Sequence, residues 1–444
     1  MSTQLQIIHP HAAGIDIGSE KVFVAVEGLI VKSFPTFTSS YHELARYLLQ
    51  HEVKTVAMEA TGVYWIALYE LLEQYGLDIW LVNPYEVKRV PGRKSDVQDC
   101  QWLLQLHSYG LLRRCFIPQE TTRALRTYVR LRDDHLQMGA THILHIQKAF
   151  ELMNIKLHIV ISDLMGISGR HIIEAILSGQ YNPEALVMLC DPQILKRKRQ
   201  QVIMALEGTY RQEHIFSLRQ AYEGWQFYQS KIQECDKQIA SVLEQITKDL
   251  APPSNPSRPK RSSHHHPDIP QLHTALLTLT GGNDPSLIGG LTDLSVLKAI
   301  SETGTDLARQ WPTVKQFTSW LGLAPGKNTS GKSTKRSRRK VNSKAGQIFK
   351  LAAQGISKSK YLALGAFYRR LRAKRGPMIA NKATARKLAV MYYNVLTKGV
   401  HYVEQGTINY NERYKQTTLR ILAKKARLFD LQLVPIEPDH ATVH

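Results

Sequence analysis

Four carboxylates stand where they could do chemistry together. Asp16 lies inside the apolar run GIDIG, Glu59 closes KTVAMEA just before Thr61-Gly62, and Asp96 and Asp99 fall three apart in SDVQD. Two acids three apart at a helix start share one face. An acid on a first strand, one ending a later strand and a pair opening a following helix would converge at one edge of a sheet. Crowded carboxylates repel one another and raise each other's pKa. A divalent cation removes that penalty, and Mg²⁺, or Mn²⁺ in its place, prefers hard oxygen ligands while keeping positions open for phosphate and water. Two such ions about 4 Å apart polarise both the attacking and the leaving oxygen of a phosphoryl transfer. Each acid alone has a plainer reading: a turn marker before glycine, or a helix-dipole complement worth a few tenths to about 1 kcal/mol. Their joint order favours the metal reading.

The elements needed to position them are legible around them. AGIDIG and KVFVAVEG read as two strands of a hairpin. TSSYHELARYLLQH is a capped amphipathic helix, KTVAMEA a strand, VYWIALYELLEQYG a helix stopped by glycine, LDIWLVN a strand closed by Asn83-Pro84, and SDVQDCQWLLQLHSYG a helix. This is an α/β order with a hairpin in front. Residues 120–250 read as mostly helical, with two long stretches, TTRALRTYVRLRDDHLQMGATHILHIQKAFELM and RQEHIFSLRQAYEGWQFYQSKIQECDKQIASVLEQI. Helices this long need a partner for their apolar stripes, either as a coiled coil or dimer arm or as an intramolecular hairpin. Residues 251–270 hold six prolines and no apolar periodicity, which reads as a linker. His264, His265 and His266 sit in it without a neighbouring cysteine, and a metal role for them is poorly supported. Helix resumes from 271 to about 430, and 431–444 is a tail.

The chain carries a formal net charge of +21. From Leu307 to Val403 there are 22 lysines and arginines and no acid, enough to account for the whole excess. Such a window suits a phosphate backbone. Lys327, Lys332, Lys335, Arg336, Arg338, Arg339 and Lys340 crowd one part of it. Arg369, Arg370, Arg372, Lys374 and Arg375 form a second cluster, interleaved with Phe367 and Tyr368, which serve either as stacking platforms or as core. The four cysteines show neither metal-ligand spacing nor a disulfide framework. No run of 18 apolar residues and no leader are evident, so a cytoplasmic protein without a membrane partner is expected. No ATP is expected.

GIDIGSEKVFVAV, MEATGVYW, LVNPYEVKR and GRKSDVQDCQWL resemble the N-terminal domain of the DEDD-type insertion-sequence transposases, the group numbered one-ten. FTSWLGLAPGKNTSGKSTKRSRRK and LAAQGISKSKYLALGAFYRRLRAKRG resemble its C-terminal transposase domain, especially in the eleven-eleven branch. The resemblance implies a RuvC/RNase H-like catalytic domain over 1–118, a helical coiled-coil segment over 119–250 and a small helical transposase domain over 271–430. It places the acidic positions on Asp16, Glu59, Asp96 and Asp99, and a nucleophilic serine on Ser330. It further implies donor and target DNA, a structured noncoding guide RNA encoded by the element, a homodimer or tetramer, and a nucleoid-associated site in a bacterial or archaeal cell. Two departures stand out: Gly289-Gly290-Leu291 replaces a Gly-Ile-Gly-Pro-like turn expected to grip DNA backbone, and Lys332 follows Gly331 where relatives often carry a second glycine.

A serine hydroxyl needs activation at neutral pH. The cations around Ser330 hold phosphate and stabilise developing charge but are not bases. The coherent reading brings the metal–carboxylate cluster to the serine, which attacks a backbone phosphate and forms a phosphoserine link that can be rejoined without ATP. The competing readings are a RuvC-like nuclease of the junction-resolvase type with no serine step, an actin-like ATPase or sugar kinase, which would need a second Asp-Gly phosphate turn not found here, and a non-catalytic packaging protein.

Overall fold

The computed structural model describes residues 6–87, 96–254, 256–259, 265–325, 328–330, 333–335, 343–359 and 362–434; for 85–86, 328–330, 333–335 and 402–411 it describes the backbone alone. The chain forms two compact units, Met1–Ile117 and Pro118–His444.

In the first unit, β1 (Ala12–Ile17) and β2 (Lys21–Val26) pair antiparallel as the hairpin that the alternating apolar pattern predicts. A third strand, β3 (Lys32–Pro35), extends the edge. Its Lys and Ser positions hide it from hydrophobic patterning. After α1 (Thr38–Gln50), β4 (Thr55–Glu59) pairs parallel with β1. After α2 (Trp65–Gln74), β5 (Asp78–Val82) pairs parallel with β4. The sheet order is β3-β2-β1-β4-β5. The short α3 (Pro84–Val87) and the longer α4 (Asp96–Ser108) complete the unit's regular elements among the described residues.

The two faces of this sheet differ in residue size, and that difference positions the acids. Ile15, Ile17, Val22, Val24, Val56, Met58 and Ile79 point to one face and bury against Leu44 and Leu48 of α1 and Leu68 and Leu72 of α2. The alternate positions, Ala12, Gly14, Ala25 and Ala57, are small, and α4 packs on them through Cys100, Leu103 and Leu104. Gly14 sets how close it comes. A Cβ there would lie 2.3 Å from the Cys100 carbonyl oxygen and 2.4 Å from the Leu104 nitrogen, both backbone atoms that cannot swing aside. At the far end of α4, the buried His107 shares a 2.9 Å hydrogen bond with Thr55 Oγ1 at the start of β4 and stacks on His9 at 4.7 Å. Burial pushes its imidazole down to about 4, so it stays neutral and holds α4 at a fixed angle to the sheet.

The second unit is built on two long helices, α5 (Glu120–Leu152) and, after α6 (Leu157–Val160), α7 (Ile167–Leu177), α8 (Pro183–Val187) and α9 (Pro192–Leu206), α10 (Gln212–Thr247). Leu125 and Val129 near the start of α5 share a core with Ile239 and Leu243 near the end of α10, whereas Ile146 and Phe150 meet Ile215 and Leu218. The two helices therefore run antiparallel and bury much of their apolar stripes on each other within one chain. The far end of the pair is closed by α7 and α9. At the near end, α11 (Leu272–Leu279) and α12 (Asp293–Thr303) join the same core through Leu272, Leu276, Val296 and Ile300.

Polar contacts that sequence patterning does not reveal lock this junction. Arg126 donates to the carbonyls of Ser301 and Glu302, and Arg130 makes a two-point pair with the Glu302 carboxylate at 2.7 and 2.8 Å. Arg132 and Asp236, with side chains 2% and 4% exposed, pair at 2.5 Å between α5 and α10. The expected linker is engaged here too. Arg132 donates to the His265 carbonyl, Asp268 N–H donates to Asp236, and Ser257 donates to Asp284 while meeting His273, which in turn pairs with Asp293 at 2.9 Å. His266 Nδ1 bonds the Pro267 carbonyl, and His264 lies outside the described residues.

Further elements among the described residues are α13 (Leu307–Gln310), α14 (Val314–Trp320), a small hairpin of β6 (Asn328–Ser330) and β7 (Ser333–Lys335), α15 (Lys344–Ile356), α16 (Ala363–Arg375), α17 (Pro377–Lys398) and α18 (Val400–Arg427). Thr313 and Gln316 form a capping box at α14, and Ser343 caps α15. Phe317, Phe349 and Tyr392 pack together in the centre, and Tyr393 donates to the Trp311 carbonyl at 2.7 Å. Gly290 lies just before α12 with φ 96°, and a Cβ there would meet Ile356 Cγ2 at 2.5 Å. The Gly289-Gly290 turn thus lets α12 and α15 approach closely.

Candidate active site

Strand alternation decides where Asp16 goes. Ala12, Gly14 and Asp16 share the face that α4 covers, and Ala57 and Glu59 of β4 share it too. Ile15 is the partner of Met58 in the parallel register, so Asp16 and Glu59 stand one step further along, on strands roughly 4.8 Å apart. Asp96 and Asp99 occupy the first turn of α4, one turn or less from the Cys100 carbonyl that rests on Gly14. Three separate elements deliver the four acids to one end of the sheet, where the adjacent inner strands β1 and β4 finish.

The electrostatics register that convergence. Burial, then the charges of Asp99, Asp96 and Glu59, push the Asp16 carboxyl up to about 6, against a smaller opposing hydrogen bond from the Ile17 backbone. Thr61 Oγ1 donates to Glu59 Oε1 at 3.1 Å and fixes that carboxylate's orientation. Among the described residues no three His, Cys, Asp or Glu side chains stand at metal-holding spacing. The acids lie within electrostatic reach of Asp16 rather than drawn to one point, as like charges do. Cys100 lies beside them, but burial and the Asp16 charge push its thiol up to about 12 while Sγ–H donates to the Val97 carbonyl. A protonated thiol leaves an all-oxygen donor set, which suits a hard divalent cation.

This environment has a pH signature. Asp16 titrates near 6 in the fold and near its ordinary 3.8 when unfolded, so its ionisation costs the native state stability. The cost is absent below about 3.8, grows as pH rises, and is complete above about 6. In chelator, Asp16→Asn is therefore expected to melt higher than the parent at pH 7.5 and to match it at pH 3.5. His107 contributes equally to both proteins and drops out of the difference. A parent that melts higher than the variant at pH 7.5 would contradict the crowding.

In the second unit, Ser330 is the last residue of β6 and pairs with Ser333 of β7. It thus stands at the hairpin end, next in sequence to Gly331 and Lys332. Lys335 ends β7 opposite Asn328. Lys327, Lys332, Arg336, Arg338, Arg339 and Lys340 lie outside the described residues. On α16, Arg370, Arg372, Lys374 and Arg375 are exposed, while Arg369 has a structural task. Its Nη1 donates to the Ser357 and Ser359 carbonyls at 3.1 and 2.6 Å, closing the end of α15. Tyr368 is core, and Phe367 is half-buried under the Lys387 ammonium, 4.9 Å from the ring centre. Burial and neighbouring cations lower the pKa of both Lys382 and Lys387. These half-buried α17 lysines escape a sequence reading that looks for clustered arginines.

Residues 13–155 match a family model described as a transposase, the DEDD model of IS110 type. Residues 287–369 match a second one, described as the transposase IS116/IS110/IS902 family. The first segment contains all four acids and the second contains Ser330, and together they cover just over half of the chain. Comparison with curated proteins returns no match.

Proposed function

Since the chain belongs to the IS110 family of transposases and acts on DNA, we propose that it excises and integrates an insertion sequence by divalent-cation-dependent strand cleavage and rejoining through a phosphoserine intermediate. The observation that carries this reading is the crowding of Asp16 by Glu59, Asp96 and Asp99. Those four residues would hold Mg²⁺, which when bound supplies charge neutralisation and polarises phosphate oxygens. The mixed sheet with its acids at one end supports the RNase H-like reading of the first unit.

The residues of the chain divide the remaining work. Thr61 holds Glu59 in place, and His107 with Gly14 sets the distance of α4 from the sheet. Ser330 forms a bond from Oγ to a backbone phosphorus while the bond from phosphorus to one sugar oxygen breaks. The hydroxyl proton passes to a carboxylate, and the departing sugar oxygen leaves as a hydroxyl after taking up a proton. Attack by a free sugar hydroxyl on the phosphoserine reverses the step and restores a phosphodiester. One ester replaces another at each stage, so no ATP is consumed. Exposed cations of the acid-free window between Leu307 and Val403, such as Arg370, Arg372, Lys374 and Arg375, supply surface for DNA and for a structured noncoding guide RNA, and two DNA partners call for a homodimer or tetramer.

The distinguishing experiment is denaturing electrophoresis of labelled DNA incubated with protein and Mg²⁺. A covalent protein–DNA species is expected for the parent and none for Ser330→Ala. Undiminished cutting by Ser330→Ala with no adduct from either protein would favour a RuvC-like nuclease without a serine step.

A further inference from the structure

We propose that the distal half of α18 is a separate nucleic-acid contact, a basic helical arm that lies along the phosphate backbone of duplex DNA. From Glu412 to Val434 no residue is buried, although the helix continues to Arg427. A helical segment with no packed face is marginal in water, so this one is suited to gain a surface from a partner. Its charge identifies the partner. Arg413, Lys415, Arg420, Lys424, Lys425 and Arg427 face only two acids, Glu412 and Asp430, over the same stretch. All six cations are exposed, and none is ion-paired among the described residues.

Helical geometry sorts them. At 100° per residue, Arg413, Arg420, Lys424 and Arg427 fall within one narrow stripe, which runs about 21 Å at 1.5 Å per residue. Leu422 and Ala426 fall on the far side, with Lys415 and Lys425 beside them. A straight row of four cations of that length matches a run of several phosphates, since duplex DNA carries one charge per roughly 1.7 Å of axis. A second copy of the same helix would bring cations against cations, which argues against self-pairing through this stripe. The arm lies outside both family-matched segments. It rests on the reading that DNA is the substrate, but needs neither the carboxylates nor Ser330.

The test uses the full-length protein with all four stripe residues replaced, Arg413→Gln, Arg420→Gln, Lys424→Gln and Arg427→Gln. The probes are a 30-base-pair DNA duplex of arbitrary sequence and an RNA duplex of equal length, followed by fluorescence anisotropy from 50 to 250 mM KCl. Losing four phosphate contacts should flatten the slope of log affinity against log salt on DNA by about 3 to 4. A companion with Arg413→Lys, Arg420→Lys and Arg427→Lys should keep the parent slope, which excludes a folding defect as the cause. A slope within one unit of the parent on DNA would overturn the proposal. So would a change confined to the RNA duplex, or loss of self-association in sedimentation velocity with DNA binding intact. Mg²⁺-dependent cutting at saturating protein should survive in the four-residue variant, whereas Asp16→Asn should lose cutting and keep the slope, so the failure of one reading leaves the other measurable.

Discussion

Asp16→Asn is expected to lower the rate of DNA cleavage by about 10³-fold or more while leaving DNA affinity within a few-fold of the parent. The reasoning follows from where Asp16 sits. It is the half-buried centre of the group, and the other three acids act on it from two further elements. An amide keeps its size and the fold around it, and removes the charge that draws a cation to that end of the sheet. Metal-assisted stabilisation of a phosphoryl transition state is worth several kcal/mol, and about 4 kcal/mol corresponds to a factor of about 10³. Affinity is held elsewhere, by the basic surfaces of the second unit. Single-turnover cleavage and equilibrium binding on the same DNA measure the two quantities. Cleavage that persists at the parent rate would remove the carboxylates from the chemistry and leave a packaging role.

The second large effect concerns stability. Arg132→Met is expected to destabilise the second unit by about 3–5 kcal/mol, because Asp236 would keep its charge in a buried position without a counter-charge. The same change removes the Arg132 donor to the His265 carbonyl, so the segment between α10 and α11 loosens as well. The double variant Arg132→Met with Asp236→Leu should recover most of the loss, since two apolar side chains can fill the same space. Recovery stays incomplete, because the Asp268 N–H also relies on Asp236. Urea denaturation followed by circular dichroism gives both values. A single variant as stable as the parent would show that the pair is not buried as described.

Much of the first unit was legible in the sequence because its code is local. Alternation in AAGIDI and KVFVAV and the breaks at glycine and Asn83-Pro84 mark the strands, and strand parity alone puts Asp16 and Glu59 on one face. The role of Gly14 was not legible. Nothing in the spacing says that the backbone of α4 comes within contact of that position, since the close approach depends on the small partners Ala12, Ala25 and Ala57 from three strands. The long helices α5 and α10 were visible from their periodicity, but the choice between an intramolecular pair and an arm for another chain was open. It turns on contacts over a hundred residues apart, such as Arg132 with Asp236. The proline-rich stretch 251–270 shows the same limit. Its composition reads as a spacer, yet Ser257, His265 and Asp268 are held by side chains that no local pattern connects to them. In the basic window, composition marked a run of cations but not their division of labour, with Arg369 closing α15 while Arg370 and Arg372 stay exposed.

The most direct test of the carboxylate account is the anomalous difference map of a crystal soaked in millimolar Mn²⁺. A peak is expected at the end of the sheet where β1 and β4 finish, roughly 2.2 Å from an Asp16 carboxylate oxygen, with Glu59 and at least one of Asp96 and Asp99 turned in to share it. A map in which Mn²⁺ occupies other sites while that end stays without a peak would contradict the account.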